Sequence, residues 1–143
     1  MAHDTKTTLF GLLAFALFLI YTSDGFCINR SWHVHIINDI ASGSIVINPK
    51  SGNDDLGIQI LQPRQAFTWH FCEKTAGSTI FNSTFFWNPR LANFTVFNDE
   101  IRYECIKQRG VEDCYWLVRE DGFYLSPYNN LFPKDWVKKH DWP

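Results

Sequence analysis

Apolar and polar residues alternate along most of this chain, and a period of two residues is typical of a β-strand with one buried face. The stretch 53–72, NDDLGIQILQPRQAFTWHFC, consists of an acidic turn, an alternating run, a second turn at 62–65 and another alternating run. The alternating side chains are Leu56, Ile58 and Ile60 before the second turn and Phe67, Trp69 and Phe71 after it. We predict a β-hairpin with these side chains on its buried face. One hairpin cannot bury its own apolar face, so other segments must supply the opposite wall.

Further strands are predicted on both sides of this stretch, and no segment has a sustained 3.6-residue pattern. They cover residues 32–39, 44–48, 78–87, 93–98, 101–107, 114–119 and 123–126. The Asp121-Gly122 pair favours a tight hairpin turn before the last of them. The tail 127–143 is compatible with a docked loop or with one helical turn near Trp136. Eight or nine short strands predict a sandwich or barrel, and we expect an all-β fold, a small disulfide-linked antiparallel β-sandwich.

The first 25 residues have the organisation of a secretory signal peptide. Lys6 precedes an apolar run at 9–21, and the small residues Ser23 and Gly25 lie at the positions that favour cleavage before Phe26. A membrane anchor is the alternative, but a bilayer-spanning helix needs about 20 apolar residues. We therefore expect a signal peptide at 1–25, a secreted domain at 26–143, and no membrane insertion after cleavage.

The composition of the mature chain argues against nucleic acid as a partner. The whole chain has 13 basic and 15 acidic residues, and removing Lys6, Asp4 and Asp24 leaves 12 and 13. Phosphate contacts dominate nucleic-acid affinity, and a chain of net charge near zero without a basic patch does not supply them. Aromatic residues make up 17% of the chain, which is enough for a packed core.

Four cysteines remain after cleavage, and an even number in a small secreted domain indicates disulfides. Cys105 and Cys114 flank a short polar loop and are expected to pair, which leaves Cys27 to pair with Cys72. Four cysteines allow three connectivities, and a zinc site is the rival interpretation. The chain has no CxxC spacing, which favours the disulfides.

Three glycosylation sequons begin at Asn29, Asn82 and Asn93. If Asn82 carries a glycan, it must face outward together with Thr84. The alternating set Phe81, Ser83 and Phe85 then faces the core.

The histidines and the acidic turn are the candidates for chemistry. His33 and His35 project from one strand face, a spacing compatible with metal ligands, but no third ligand is evident and we expect them on the solvated face. His70 alternates with Trp69 and is also expected to face outward. Asp54 and Asp55 point apart on an extended chain, so we interpret them as turn-capping residues rather than paired acids or calcium ligands. The chain has no nucleophile elbow and no glycine-rich phosphate loop, and we expect no cofactor.

In their order along the chain, several short motifs resemble the plant self-incompatibility protein S1 family, which includes the secreted pistil determinants of poppy. They are VHIIN at 34–38, NDDLG at 53–57, FTWHF at 67–71, GSTIF at 77–81, the segment from Cys105 to CYW at 114–116, and EDGFY at 120–124. The resemblance implies a small secreted β-sandwich that acts as an extracellular ligand through a membrane receptor, not as an enzyme. Many relatives have cysteines at two positions that correspond here to Pro49 and Ser83.

We therefore expect a monomeric, secreted recognition or signalling protein whose partner is a cell-surface receptor. Specificity is predicted to lie in the polar loops 50–55, 73–77, 87–92 and 108–113. The candidate partner-binding residues are Lys50, Asn53, Asp54, Glu73, Lys74, Arg90, Gln108, Arg109 and Glu112. The alternatives are a secreted hydrolase such as a ribonuclease that uses His33, His35 or His70, and a defence protein that acts on microbial surfaces.

Overall fold

The computed structural model describes residues 27–74, 78–107 and 111–143, and the predicted signal peptide lies outside this part of the chain. The described residues form nine strands and one short helix. The elements are β1 Ser31–Asn38, β2 Ile45–Lys50, β3 Gln59–Leu61, β4 Ala66–Cys72, β5 Phe81–Trp87, β6 Arg90–Phe97, α1 Asp99–Cys105, β7 Val111–Arg119, β8 Gly122–Ser126 and β9 Val137–His140.

The strands form two sheets, which confirms the predicted all-β sandwich. One sheet has the order β4-β1-β7-β8-β9 and the other has the order β3-β2-β5-β6. The pairing of β1 with β7 is parallel, whereas the other strand pairs are antiparallel as expected. The indole Nε1 of Trp116, on β7, donates a 2.9 Å hydrogen bond to the carbonyl of Val96, on β6, and so links the two sheets.

Buried and more exposed side chains alternate along β1, β2 and β5. Trp32, Val34 and Ile36 of β1 are fully buried, as are Ile45 and Ile47 of β2. On β5 the buried side chains are Phe81, Ser83 and Phe85, and Asn82 is exposed between them. The orientation predicted for this strand is therefore confirmed.

The predicted hairpin over 53–72 is wrong, because its two runs belong to different sheets. β3 pairs with β2, and β4 pairs with β1. The turn after β3 carries the chain across the sandwich, with Arg64 at a φ of 70° and its amide bonded to the Asn38 carbonyl at 2.6 Å. On β3 the buried residue is Leu61, whereas Ile58 and Ile60 are 69% and 62% exposed. In this run, alternation predicts an extended chain correctly, but it assigns Ile58 and Ile60 to the wrong face.

The predicted strand over 101–107 is also wrong, since Asp99–Cys105 is helix α1. Asn98 caps the helix by accepting a 2.9 Å hydrogen bond from the Ile101 amide, and Asp99 in the first turn complements the helix dipole. Ile101 and Cys105, four residues apart, are buried on one face, and Tyr103 between them is 67% exposed. Ile101, Tyr103 and Cys105 imitate a strand pattern although only two of them face the core.

The tail combines the expected docked loop, over residues 127–136, with a strand that the sequence did not predict. Val137–His140 forms β9 and pairs with β8. Trp136 and Trp142, before and after this strand, are both buried, and the indole of Trp142 donates a 2.8 Å hydrogen bond to the Arg119 carbonyl. The tail therefore completes the five-stranded sheet.

Two disulfides join Cys27 to Cys72 and Cys105 to Cys114, which is the pairing expected from the sequence. Cys27 is tied to the end of β4, and the first β-strand begins four residues later. Cys105 and Cys114 are fully buried and fasten α1 to β7.

Candidate recognition surface

The strand registers show which of the predicted loops share one end of the sandwich. Ser31 at the start of β1 lies opposite Cys72 at the end of β4 and opposite Val111 at the start of β7. In the other sheet, Lys50 at the end of β2 lies opposite Asn82 near the start of β5. The chain therefore leaves β2 and β4 and enters β5 and β7 at one end. We call the exposed part of this end, residues 50–54, 74 and 78–80, the loop end.

A cavity of about 320 Å³ opens between the segments of the loop end. Phe71 and Phe81 give it an apolar wall, with ring centroids 4.9 Å apart. Its polar lining includes Asn53, Asp54 and Lys74, which are exposed as the sequence predicts. The remaining lining residues are Ser51, Gly52, Cys72, Ser78, Thr79 and Ile80. Ile80 is 47% exposed, so the rim also offers an apolar side chain to a partner.

The acidic turn at this end is held by its own side chains. The Ser51 hydroxyl accepts a 3.1 Å hydrogen bond from the Asp54 amide, and Asp55 Oδ1 accepts one of 2.9 Å from the Gly57 amide. Gly57 has a φ of +80°, which favours glycine. Asp55 therefore shapes the turn, as expected, whereas the Asp54 side chain faces solvent. Across the part of the chain that the structure describes, no group of three or more His, Cys, Asp or Glu residues is arranged to hold a metal ion.

Of the other predicted partner-binding residues, those that the structure describes do not line this cavity. Arg90 is exposed at the opposite end, at the start of β6, with its guanidinium 5.6 Å from the centre of the Trp87 ring. Gln108 and Arg109 lie outside the described residues. Lys50 is exposed at the end of β2, as predicted.

The prediction that Glu73 and Glu112 bind a partner is wrong, because both side chains are buried. The Glu73 Oε1 atom accepts hydrogen bonds from Trp32 Nε1 at 2.7 Å and Arg102 Nε at 2.5 Å, and the bond to Glu73 raises the pKa of Arg102. Glu112 is 1% exposed and pairs with Arg30 at 2.9 Å. Both residues lie in loops that the sequence predicts as exposed, but their charges are neutralised inside the protein by Arg102 and Arg30.

A second polar cluster lies on the outer face of the five-stranded sheet, and we call it the histidine face. It comprises His33, His35, His70, Ser31, Thr68, Asp113 and Tyr115. Register places His33 between His70 on β4 and Asp113 on β7. The His33 ring lies 4.8 Å from that of His70 and 6.1 Å from that of His35, measured between centroids. The predicted outward orientation of all three histidines is confirmed.

His35 lies at the centre of a hydrogen-bonded relay on this face. Its Nε2 is 2.8 Å from Asp113 Oδ1, its Nδ1 is 2.7 Å from Thr68 Oγ1, and its ring stacks on Tyr115 at 4.2 Å. Burial by itself raises the pKa of Asp113, but the hydrogen bond from His35 and the charge of Lys107 outweigh it, so that the pKa is lowered. Burial and the charge of Asp113 raise the pKa of Tyr115. A carboxylate, an imidazole and a hydroxyl in this order can move a proton from Thr68 to His35.

The sequon asparagines are all exposed. Asn82 and Asn93 lie on the outer face of the four-stranded sheet, and Asn82 Oδ1 accepts a 2.7 Å hydrogen bond from Thr95 Oγ1. The Asn29 amide donates to the Lys74 carbonyl, which fixes the chain before β1 against the loop end. Glycosylation at these three positions stays a prediction.

Together these features define a class of protein: a small, two-sheet, disulfide-linked β-sandwich with a candidate binding cavity between loops at one end. The chain belongs to the plant self-incompatibility protein S1 family, whose sequence profile matches residues 33–142. It is 34% identical over 103 residues to S-protein homolog 1 of Arabidopsis thaliana, an alignment that spans 66% of this chain but less than two thirds of that relative, 62%. With S-protein homolog 29 of the same plant it shares 27% identity over 138 residues, covering 94% of this chain and 96% of the relative.

A solved structure has the same fold. It is described as a self-incompatibility protein homologue from a widespread family of small, highly stable, secreted plant proteins. The TM-score is 0.58 at 13% sequence identity, over 80% of this chain and 96% of the other. Among the described residues, none of the helical segments is both long and apolar enough to cross a membrane.

Proposed function

We propose that this protein is a secreted extracellular ligand that acts in cell–cell signalling, of which pollen rejection is one form, by binding a cell-surface receptor through the loop end. The observation that carries the proposal is the cavity at the loop end, lined by residues 51–54 of one predicted recognition loop and by Lys74 of another. Family membership supports the proposal, because S-protein homologues are a self-incompatibility family.

The chemistry of the cavity suits a protein partner. The apolar wall of Phe71 and Phe81 can accept one apolar or aromatic side chain, and such a buried anchor supplies most of the energy of many interfaces. Asp54 and Lys74 at the rim carry opposite charges, which set partner choice and register more than affinity. The two residues are exposed, so they can be varied without disturbing the core.

The net charge and the predicted signal peptide support two further parts of the proposal: nucleic acid is not a partner, and the protein is secreted. A mature chain of net charge near zero has no electrostatic footprint for nucleic acid. Cleavage after Gly25 would release a monomer with no membrane-inserting segment into the extracellular space.

The decisive experiment measures binding of fluorescently labelled mature protein to intact plant cells. Asp54→Lys and Ile80→Asp are expected to weaken saturable binding about tenfold or more, because each places an unpaired charge at the interface. Arg90→Glu, at the opposite end of the sandwich, is the matched charge-changing control and is expected to bind like the wild type. Equal binding by all variants, or loss with Arg90→Glu alone, would exclude the loop end as the receptor site.

A loop exchange tests specificity at the same site. Residues 50–55 of a paralogue, grafted into this scaffold, are expected to transfer the paralogue's preference for its own target cells. An exchange that leaves the preference unchanged would place specificity elsewhere on the surface.

The relay from Asp113 through His35 to Thr68 favours one second candidate, a secreted hydrolase such as a ribonuclease. The test incubates purified protein with RNA and compares the wild type with His35→Ala. Activity that disappears on this substitution would support the hydrolase, and undiminished cell binding by the same variant would separate the two functions.

A further inference from the structure

His33 and His70 are side-by-side imidazoles whose hydrogen-bonding capacity is largely unused. They lie directly opposite each other on β1 and β4, with ring centroids 4.8 Å apart. Within the described part of the chain, the His33 ring has ring contacts with His35 and His70 but takes part in no hydrogen bond or ion pair. His70 uses one nitrogen, Nε2, which is 2.5 Å from Ser31 Oγ. Three ring nitrogens therefore remain available on an accessible sheet face.

The charged groups around this pair leave it without an internal counterion when it is protonated. On the β7 side the nearest carboxylate is Asp113, but Oδ1 is bonded to His35 Nε2 and Oδ2 lies 3.3 Å from Lys107 Nζ. On the β4 side, apart from His70 itself, the neighbouring polar group is the Thr68 hydroxyl, which is bonded to His35. The remaining titratable group of this surface is Tyr115, which stacks on His35 and is neutral at ordinary pH. No acidic side chain of the described neighbours is thus left for His33 and His70.

Histidine is the side chain that ordinarily gains its charge between pH 8 and 5. Two imidazolium groups at this separation repel each other, and the repulsion is relieved when an anion lies between or above them. Each imidazolium N–H is also a charge-assisted donor to an oxygen of such an anion. The Ser31 hydroxyl, next to His70, supplies a further donor.

We propose that His33, His70 and Ser31 form a binding site for an oxyanion, such as a sulfate or carboxylate group, that fills as the two imidazoles take up protons. The site lies on the sheet face, separate from the cavity of the loop end, and does not depend on the receptor proposal. Because proton and anion binding are linked, the anion must promote protonation by the same factor by which protonation promotes anion binding.

The test uses sulfate, whose charge is constant across the range, and follows the histidine ring signals of the mature protein by NMR at pH 7.5 and pH 5. We expect sulfate to bind about tenfold or more tightly at the lower pH, with shifts centred on His33 and His70. Calorimetry in buffers of different ionisation enthalpy should show proton uptake on binding. Titration with dextran sulfate beside unmodified dextran distinguishes a site for an anionic polymer from one for a free anion.

Three variants make the proposal falsifiable. His33→Gln and His70→Gln should each abolish most of the affinity gained at pH 5, whereas His140→Gln, which removes an imidazole from β9, should leave it unchanged. His70→Arg fixes one positive charge, so it should strengthen binding at pH 7.5 and reduce the pH dependence. Affinity that is equal at the two pH values, no binding at pH 5, or loss in His140→Gln alone would overturn the proposal.

Discussion

The indole of Trp32 donates a 2.7 Å hydrogen bond to the carboxylate of Glu73, across 41 residues of sequence. Trp32 is fully buried and Glu73 is 8% exposed, and the same carboxylate oxygen also bonds Arg102 at 2.5 Å. Glu73 thus satisfies the indole of a core tryptophan on β1 and a guanidinium on helix α1. A single carboxylate next to Cys72 fastens two elements to the sandwich.

Glu73→Ala is therefore expected to be among the more damaging single substitutions. It leaves the Trp32 indole and the poorly exposed Arg102 without their partner, and breaking such a pair costs about 3 kcal/mol or more. Glu73→Gln keeps an acceptor for the indole and should cost less. Urea unfolding of both variants measures the free energies. The exposed neighbour substitution Lys74→Ala is the control, and a cost for Glu73→Ala as small as that of the control would contradict the assignment.

Local alternation predicts strands from the sequence. It does not predict the burial of charged side chains, which depends on partners that are distant in sequence. On β1 the alternation of Val34 and Ile36 with His33 and His35 predicts both the strand and its outward face, and both are confirmed. Glu73 and Glu112 were assigned to exposed loops, because the arginines that neutralise them lie 29 and 82 residues away in sequence. No local signal marks a carboxylate whose counterion comes from another element.

Helix α1 carried a signal that alternation concealed. Asn98 followed by Asp99 and Glu100 is a helix start, and Ile101 and Cys105 have helical spacing. With only seven residues, the helix is stabilised by its cap and by the disulfide from Cys105 to Cys114 rather than by a long amphipathic face. The cap signal outweighs the strand pattern here.

The exposed face of β3 explains why the buried face predicted for this run is wrong. In register, Ile60 lies beside Val46, Val46 beside Phe86, and Phe86 beside Leu91. These four residues form an apolar row across the outer face of the four-stranded sheet. Alternation of Ile58 and Ile60 therefore reports a row on the solvent side, and a periodic pattern alone cannot distinguish it from the core side.

Asp113 is expected to make the free energy of unfolding decrease as the pH falls into the acid range. Although burial raises its pKa, the His35 hydrogen bond and Lys107 lower it overall, so the folded pKa lies below the unfolded value of about 3.8. The resulting stabilisation is present above the unfolded pKa and is lost as the pH falls through the folded pKa. Asp113→Asn should therefore be less stable than the wild type at pH 7, and the difference should narrow toward pH 2. Urea unfolding across this range tests it, and a difference between Asp113→Asn and the wild type that is the same at pH 7 and pH 2 would contradict the prediction.

His140 is expected to make the free energy of unfolding depend on pH at higher pH values than Asp113 does. Burial lowers its pKa first, and the charge of Lys139 lowers it further, while its ring stacks on Phe94 at 4.0 Å. The unfolded chain then binds the proton more readily, so His140 costs stability as the pH falls below about 6.5. His140→Phe keeps an aromatic ring and removes the titration. The wild type should lose stability relative to this variant between pH 7 and 5, and parallel unfolding curves in that interval would contradict the prediction.

Pro49 and Ser83 lie directly opposite each other in the register of β2 and β5. Both are buried. β3 pairs with β2 only at residues 45–47, so Pro49 has a paired strand on one side, where a sheet tolerates the missing amide. Its carbonyl accepts a 3.0 Å hydrogen bond from Leu56 and so helps to close the acidic turn.

The double variant Pro49→Cys with Ser83→Cys is therefore expected to form a third disulfide. Opposed residues of an antiparallel pair have Cα atoms about 4.5–5.5 Å apart, within the range of about 4.4–6.8 Å that a bridge requires. Closing a loop of about 35 residues adds about 3–4 kcal/mol by the chain-entropy estimate. Mass spectrometry of the oxidised protein detects the bridge, and guanidinium unfolding with and without reductant measures its effect. The single variants, which cannot form it, are the controls. Two free thiols in the oxidised double variant would show that Pro49 and Ser83 are not neighbours and would contradict this register.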